Sequence, residues 1–194
     1  MKIPLQLAIE VNVMRSVGYP WELKGHVFKP MRPKRDEVDL GWGTFDSDVN
    51  PSELLTDFLK IPRNDNAAML EFLNATGAWE EWDEPVNAYY LWNKQDAVRS
   101  IVSERTSDSL ATNLLEEELD GLRVPTQFEV SNKYKMAGLT VELPSTWSTI
   151  LFACWSERAR GITRRNCARY DCADFGAGRA MFEITRPDKR YCST

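Results

Sequence analysis

Cys167 and Cys172 are separated by four residues, and Cys192 follows after a further nineteen. No other feature constrains this chain as tightly. Two thiolates on one short turn can meet a single metal ion, and a third cysteine brings a distant segment to the same point. Between the second and third cysteines, Gly176, Gly178 and Arg186-Pro187-Asp188 mark turns, and Met181-Phe182-Glu183-Ile184 reads as a short strand. A knuckle, a hairpin and a third cysteine at a helix entrance give the layout of a treble-clef finger. Structural zinc is nearly always four-coordinate. The expected fourth ligand, from a Cys-Ser-x-x-Cys turn, falls beyond Thr194. The alternative is that the cysteines are small buried apolar side chains, held by packing alone.

The tail resembles the C-terminal finger of the CGNR zinc-finger proteins and related bacterial treble clefs. The matching residues are Cys167, Cys172, Phe175, Lys189, Arg190, Tyr191, Cys192 and Ser193. The resemblance covers about the last 30 residues. It implies zinc on Cys167, Cys172 and Cys192, and a DNA-binding role for the module. It also implies a mixed α/β sensing domain before the finger. The Gly-Asn-Arg tetrad of the family and its cysteine are absent here, and the gap between the second and third cysteines is longer than in the family. The fourth ligand and the DNA-facing helix are therefore not carried over.

Charge is unevenly distributed. From Glu157 to Thr194 there are nine basic and five acidic residues, against 15 and 24 in the preceding part of the chain. An acidic body repels a phosphate backbone, whereas an arginine-rich end attracts one. Arg164, Arg165, Arg169, Arg179, Lys189 and Arg190 are the candidate nucleic-acid contacts. These cations are equally suited to pairing with the acids of the body.

Upstream, residues 3–14 alternate, with Leu5, Leu7, Ile9, Val11 and Val13 on one face, as a half-buried strand requires. Gly18-Tyr19-Pro20 breaks this strand, and the proline-rich stretch that follows, with Pro30 and Pro33, reads as loops or edge strands. Val38 to Phe45 reads as another short strand. Asn50-Pro51-Ser52-Glu53 is a helix start. Asn64 or Asp65 opens a second helix, which Gly77 ends. A long helical stretch from Val86 to Arg105 continues through Thr106 to Leu119 after a kink. Gln127–Val130 and Leu139–Leu143 form a hairpin. Ser145 caps a last helix, on which Trp147, Ile150, Leu151, Cys154, Trp155 and Arg158 recur at helical spacing. Cys154 on that stripe reads as packing rather than as a zinc ligand.

The expected fold is α+β, with a mostly antiparallel sheet around a helical middle and a small treble-clef-like C-terminal module. The expected units are a sensing or interaction domain over 1–161 and a partial zinc-finger-like module over 162–194. No apolar run approaches the roughly 20 residues of a membrane helix. The N-terminus, interrupted by Gln6, Glu10 and Asn12, does not read as a signal peptide. Four cysteines without such a peptide point to a reducing cytoplasm.

Catalytic signatures are absent. His26 is the only histidine and has no motif context. The acidic aromatic run Trp79 to Pro85 reads as a solvated connection whose tryptophans pack down. The clusters Asp36/Glu37/Asp39 and Asp46/Asp48 lack a diagnostic metal spacing and read as solvated turns. Two functions remain. One is a regulatory nucleic-acid-binding protein with a C-terminal zinc finger, taking DNA as its partner. The other is a non-catalytic small-ligand or protein-interaction domain with a structural C-terminal cap and a tryptophan-lined apolar pocket.

Overall fold

A computed structural model of the chain describes residues 6–15, 20–31, 45–46, 50–77, 79–80, 84–120, 126–131, 136–143, 145–168 and 181–185. For 6–15, 45–46, 126–131 and 136–142 the description is of the backbone. The fold is α+β, with five helices among the described residues.

Strand β1 (Gln6–Arg15) lies at the centre of a four-stranded sheet with β4 (Phe45–Asp46), β6 (Thr126–Ser131) and β7 (Met136–Leu143), in the order β4-β1-β7-β6. The outer pairs are antiparallel, and β6–β7 is the expected hairpin. The longest pairing is parallel, from Gln6 opposite Met136 to Val13 opposite Leu143. Parallel neighbours require a crossover. Here the crossover contains the helical middle of the chain.

A second sheet forms from β2 (Trp21–Lys24), β3 (Val27–Pro30) and β5 (Val86–Asn87). Pro33 lies outside the described residues, and residues 21–30 of the proline-containing stretch thus form a hairpin. Gly25 opens its two-residue turn at φ 65°, a conformation for which glycine carries no Cβ penalty. Trp21 docks the hairpin on the helices. Its backbone N–H donates to Asn74 Oδ1 at 2.6 Å, and its indole N–H donates to the Gly77 carbonyl at 3.2 Å.

Helix α1 (Pro51–Lys60) is capped by Asn50, whose side chain accepts from the Ser52 N–H. Helix α2 (Asn66–Thr76) starts at Asp65, whose Oδ1 accepts from Ala67 and Ala68, and stops at Gly77 with φ 86°. Both starts follow the side-chain capping rule. The continuous helix expected after Val86 is two helices, α3 (Ala88–Val102) and α4 (Asp108–Leu119). Ser103 ends the first in extended backbone and Ser107 caps the second, so local side-chain hydrogen bonding replaces a kink with a break. Helix α5 (Thr146–Ala159) begins in a capping box between Ser145 and Ser148.

The core lies among α1, α2, α3 and α5. Phe58, Leu55, Leu73, Leu91, Val98, Ile150 and Leu151 are fully enclosed. An aromatic row runs Phe72–Phe58–Trp79–Trp147, with neighbouring ring centroids 5.3–5.5 Å apart. Buried Gln95 donates from Nε2 to the carbonyls of Phe58 and Ile61, at 2.8 and 3.0 Å. Arg99 reaches the Leu59 carbonyl at 2.7 Å. Helix α3 therefore satisfies the orphan carbonyls at the C-terminus of α1.

Strands β8 (Arg164–Asn166) and β9 (Met181–Glu183) pair antiparallel, and Met181 enters the main core. Arg164 also bridges to Ser103. The described part of the tail is thus packed on the helical body at the junction of α3 and α4.

Candidate functional site

The arginines opening the tail meet carboxylates of the body. Arg164 is buried. Its Nε and Nη2 donate to the two Glu157 oxygens at 2.9 and 2.6 Å, and Nη1 donates to Thr56 Oγ1 at 3.0 Å. A phosphate contact from Arg164 would require breaking this pair. Arg165 is half-buried and forms a fork on Glu104 through Nε and Nη2. That hydrogen bonding holds the Glu104 carboxyl below its ordinary range and raises the Arg165 guanidinium. Arg169, Arg179, Lys189 and Arg190 lie outside the described residues.

Cys167 is buried in the segment after β8, while Cys172 and Cys192 lie outside the described residues. Among the described residues, no group of three or more His, Cys, Asp or Glu side chains is placed to hold a metal ion. Cys154 is enclosed on α5, as its stripe predicts, and burial raises its thiol pKa well above the usual thiol range. His26 is exposed in the β2–β3 turn, where its backbone carbonyl accepts from the Ala88 N–H at 2.8 Å. Trp79 packs inward as expected, and Glu80 accepts from the Tyr90 hydroxyl at 2.6 Å. Burial, with that hydrogen bond and the Glu80 charge, raises the Tyr90 phenol. Trp82 and the Asp36, Glu37, Asp39 and Asp48 side chains lie outside the described residues.

One helix residue departs from its expected place. Trp155 shares the spacing of the core stripe on α5 yet is 48% exposed. Helix α5 is buried all round over 146–151 but only on one side beyond, and α4 does not close over Trp155. The result is a surface groove of about 410 Å³ between the two helices. Ala111 and Leu115 are its buried apolar residues, and Trp155 and Leu119 line it as half-open apolar walls. Asp108, Glu116 and Arg158 supply its charges.

The groove has a fixed frame. At one end, Arg158 Nη2 donates to the Thr106 carbonyl at 3.0 Å and to Asp108 Oδ1 at 2.7 Å, fastening α5 to the start of α4. Farther along α4, Glu118 pairs with Lys94 of α3 at 2.5 Å. The Lys94 ammonium lies 5.0 Å from the Tyr90 ring centroid and 5.2 Å from that of Trp147 on α5. One lysine thereby ties three helices through an ion pair and two cation–π contacts. Phe152 braces Trp155 from its own helix, with ring centroids 5.6 Å apart.

Most of these groove residues carried no motif in the sequence. Their signal is in α4 itself, where Leu110, Leu114, Leu115 and Leu119 give more apolar surface than one buried stripe uses. Of the four, only Leu115 is buried, and Leu110 and Leu119 remain exposed.

Among the described residues, no helix is long and apolar enough to cross a membrane. Comparison with protein-family models, with curated proteins and with solved structures gives no match.

Proposed function

We propose that this chain is a protein-interaction domain whose binding surface is the groove between α4 and α5. The observation carrying this reading is the half-exposed Trp155, braced by Phe152, beside the apolar Ala111, Leu115 and Leu119. A rigid aromatic side chain at the edge of an apolar cleft is the usual anchor of a binding hot spot. The volume of about 410 Å³ lies within the roughly 300–1,000 Å³ of ligand pockets, enough for one or two inserted side chains. The pairing of Arg164 with Glu157 and of Arg165 with Glu104 weighs against a phosphate-binding role for the start of the tail.

The test is selection from a random peptide library on the intact chain, in parallel with the Trp155→Glu variant. Because Trp155 is exposed, the substitution should leave the folding stability within about 0.5 kcal/mol of the parent. Peptides enriched on the parent should lose at least about tenfold in affinity on the variant. Equal binding to both proteins would refute the groove. Salt-sensitive binding of duplex DNA without peptide enrichment would favour the nucleic-acid reading of the tail.

A further inference from the structure

Arg158 closes one end of the groove. Its side chain is 10% exposed, whereas that of its partner Asp108 is 99% exposed. Nη2 alone is engaged, donating to Asp108 Oδ1 and to the Thr106 carbonyl, and Nε and Nη1 have no acceptor among the described residues. A nearly buried guanidinium has lost most of its water and needs acceptors. A carboxylate on a fully exposed side chain gives an ion pair of little worth. Asp108 thus shows where a carboxylate sits on Arg158 without holding that place firmly. This end of the groove is also the start of α4, where a helix carries partial positive charge. Trp155 lies three residues before Arg158 on α5, and Ala111 and Leu115 lie three and seven residues after Asp108 on α4. Residues at these spacings share a helix face, with roughly 5–6 Å between neighbouring Cβ atoms. The apolar lining therefore begins within one residue's reach of the guanidinium. Glu116, the other carboxylate of the lining, is eight residues along α4 from Asp108, about 12 Å by helix rise, and is screened from Arg158 at physiological salt.

We infer that the partner presents a carboxylate beside a large apolar side chain. The carboxylate takes the place of Asp108 on Arg158, and the apolar side chain seats on Leu115 against Trp155. A guanidinium offers parallel N–H donors matched to a carboxylate, which fixes the partner's register as well as adding affinity. The Thr106 carbonyl keeps its bond to Nη2, so the exchange leaves the groove framed. A chain ending in an apolar residue carries both groups on one residue, and an acidic side chain next to an apolar one supplies the same chemistry. This inference rests on the groove being the interaction surface.

The experiment uses the full chain and three labelled decapeptides that all end in leucine. One has a free C-terminal carboxylate, one is amidated, and one is amidated with glutamate before the leucine. Fluorescence anisotropy should show at least one carboxylate peptide binding about tenfold more tightly than the plain amide, the effect of one charged hydrogen-bonded pair. A gain in the free acid alone identifies a chain end, and a gain in the glutamate peptide alone identifies an acidic side chain. Arg158→Gln, which keeps a donor for the Thr106 carbonyl, should erase the preference and leave the affinity of the plain amide unchanged. Asp108→Asn removes the rival carboxylate and should strengthen the favoured peptide about threefold, with a melting midpoint within about 4 °C of the parent. The two variants act in opposite directions, so loss of folding cannot mimic both. Equal binding of all three peptides by the parent, lost in Trp155→Glu, overturns the carboxylate partner while the groove reading survives. A preference that persists in Arg158→Gln overturns the role of Arg158. Failure of all three to bind also overturns the inference, and the library selection then decides the groove independently.

Discussion

Arg164→Ala should cost about 3–5 kcal/mol of folding stability, read from chemical denaturation of the full chain. The side chains of Arg164 and Glu157 are 5% and 3% exposed, and the guanidinium uses a two-pronged geometry on the carboxylate. Removing the cation leaves a buried carboxylate without its partner, and the desolvation of that charge is no longer offset. Total stabilities are only about 5–15 kcal/mol, so this one change removes a large share. Thr56 is less exposed to the loss, because its hydroxyl also donates to the Ser52 carbonyl at 2.7 Å. Arg164→Lys should recover little, since an ammonium cannot reproduce the fork. Replacing both partners together, Glu157→Leu with Arg164→Met, should recover most of the loss, because no charge is then stranded. A loss below about 1 kcal/mol in Arg164→Ala would show that the pair does not hold β8 to α5.

Trp79→Ala should be comparably damaging, at about 3–5 kcal/mol. Trp79 is fully buried between Phe58 and Trp147, at 5.4 and 5.3 Å between ring centroids, and its carbonyl accepts from the Trp147 N–H at 2.9 Å. Truncation opens a cavity among α1, residues 79–80 and α5, and the backbone bond limits collapse into it. Trp79→Phe should cost far less, about 1–2 kcal/mol. It loses volume, but it also removes an indole N–H that has no acceptor among the described residues. Burying such an unpaired donor is itself unfavourable by about 1–3 kcal/mol. If Phe and Ala cost the same by denaturant titration, the unpaired N–H is immaterial and the packing argument fails.

These sites show why some of the structure was legible in the sequence and some was not. Asn50, Asp65, Ser145 and Gly77 stand where their local chemistry predicts helix ends, because a cap is decided within three or four residues. The β6–β7 hairpin is legible for the same reason. The parallel pairing of Gln6 with Met136 is not, since nothing near either residue encodes a partner so distant. Trp155 obeys helical periodicity and still escapes the core, because its exposure depends on where α4 docks. The arginine-rich start of the tail shows the same limit. Composition displays the positive charge of Arg164 and Arg165, but only the folded chain shows it spent on Glu157 and Glu104.

The central claim, that the chain binds its partner in the α4–α5 groove, is tested most directly by hydrogen exchange with and without a bound peptide from the library. Bound peptide should slow exchange across residues 108–119 and 150–159, leaving α1 and α2 unchanged. Protection confined to β8 and β9, or to the β2–β3 hairpin, would place the binding surface elsewhere and contradict the account.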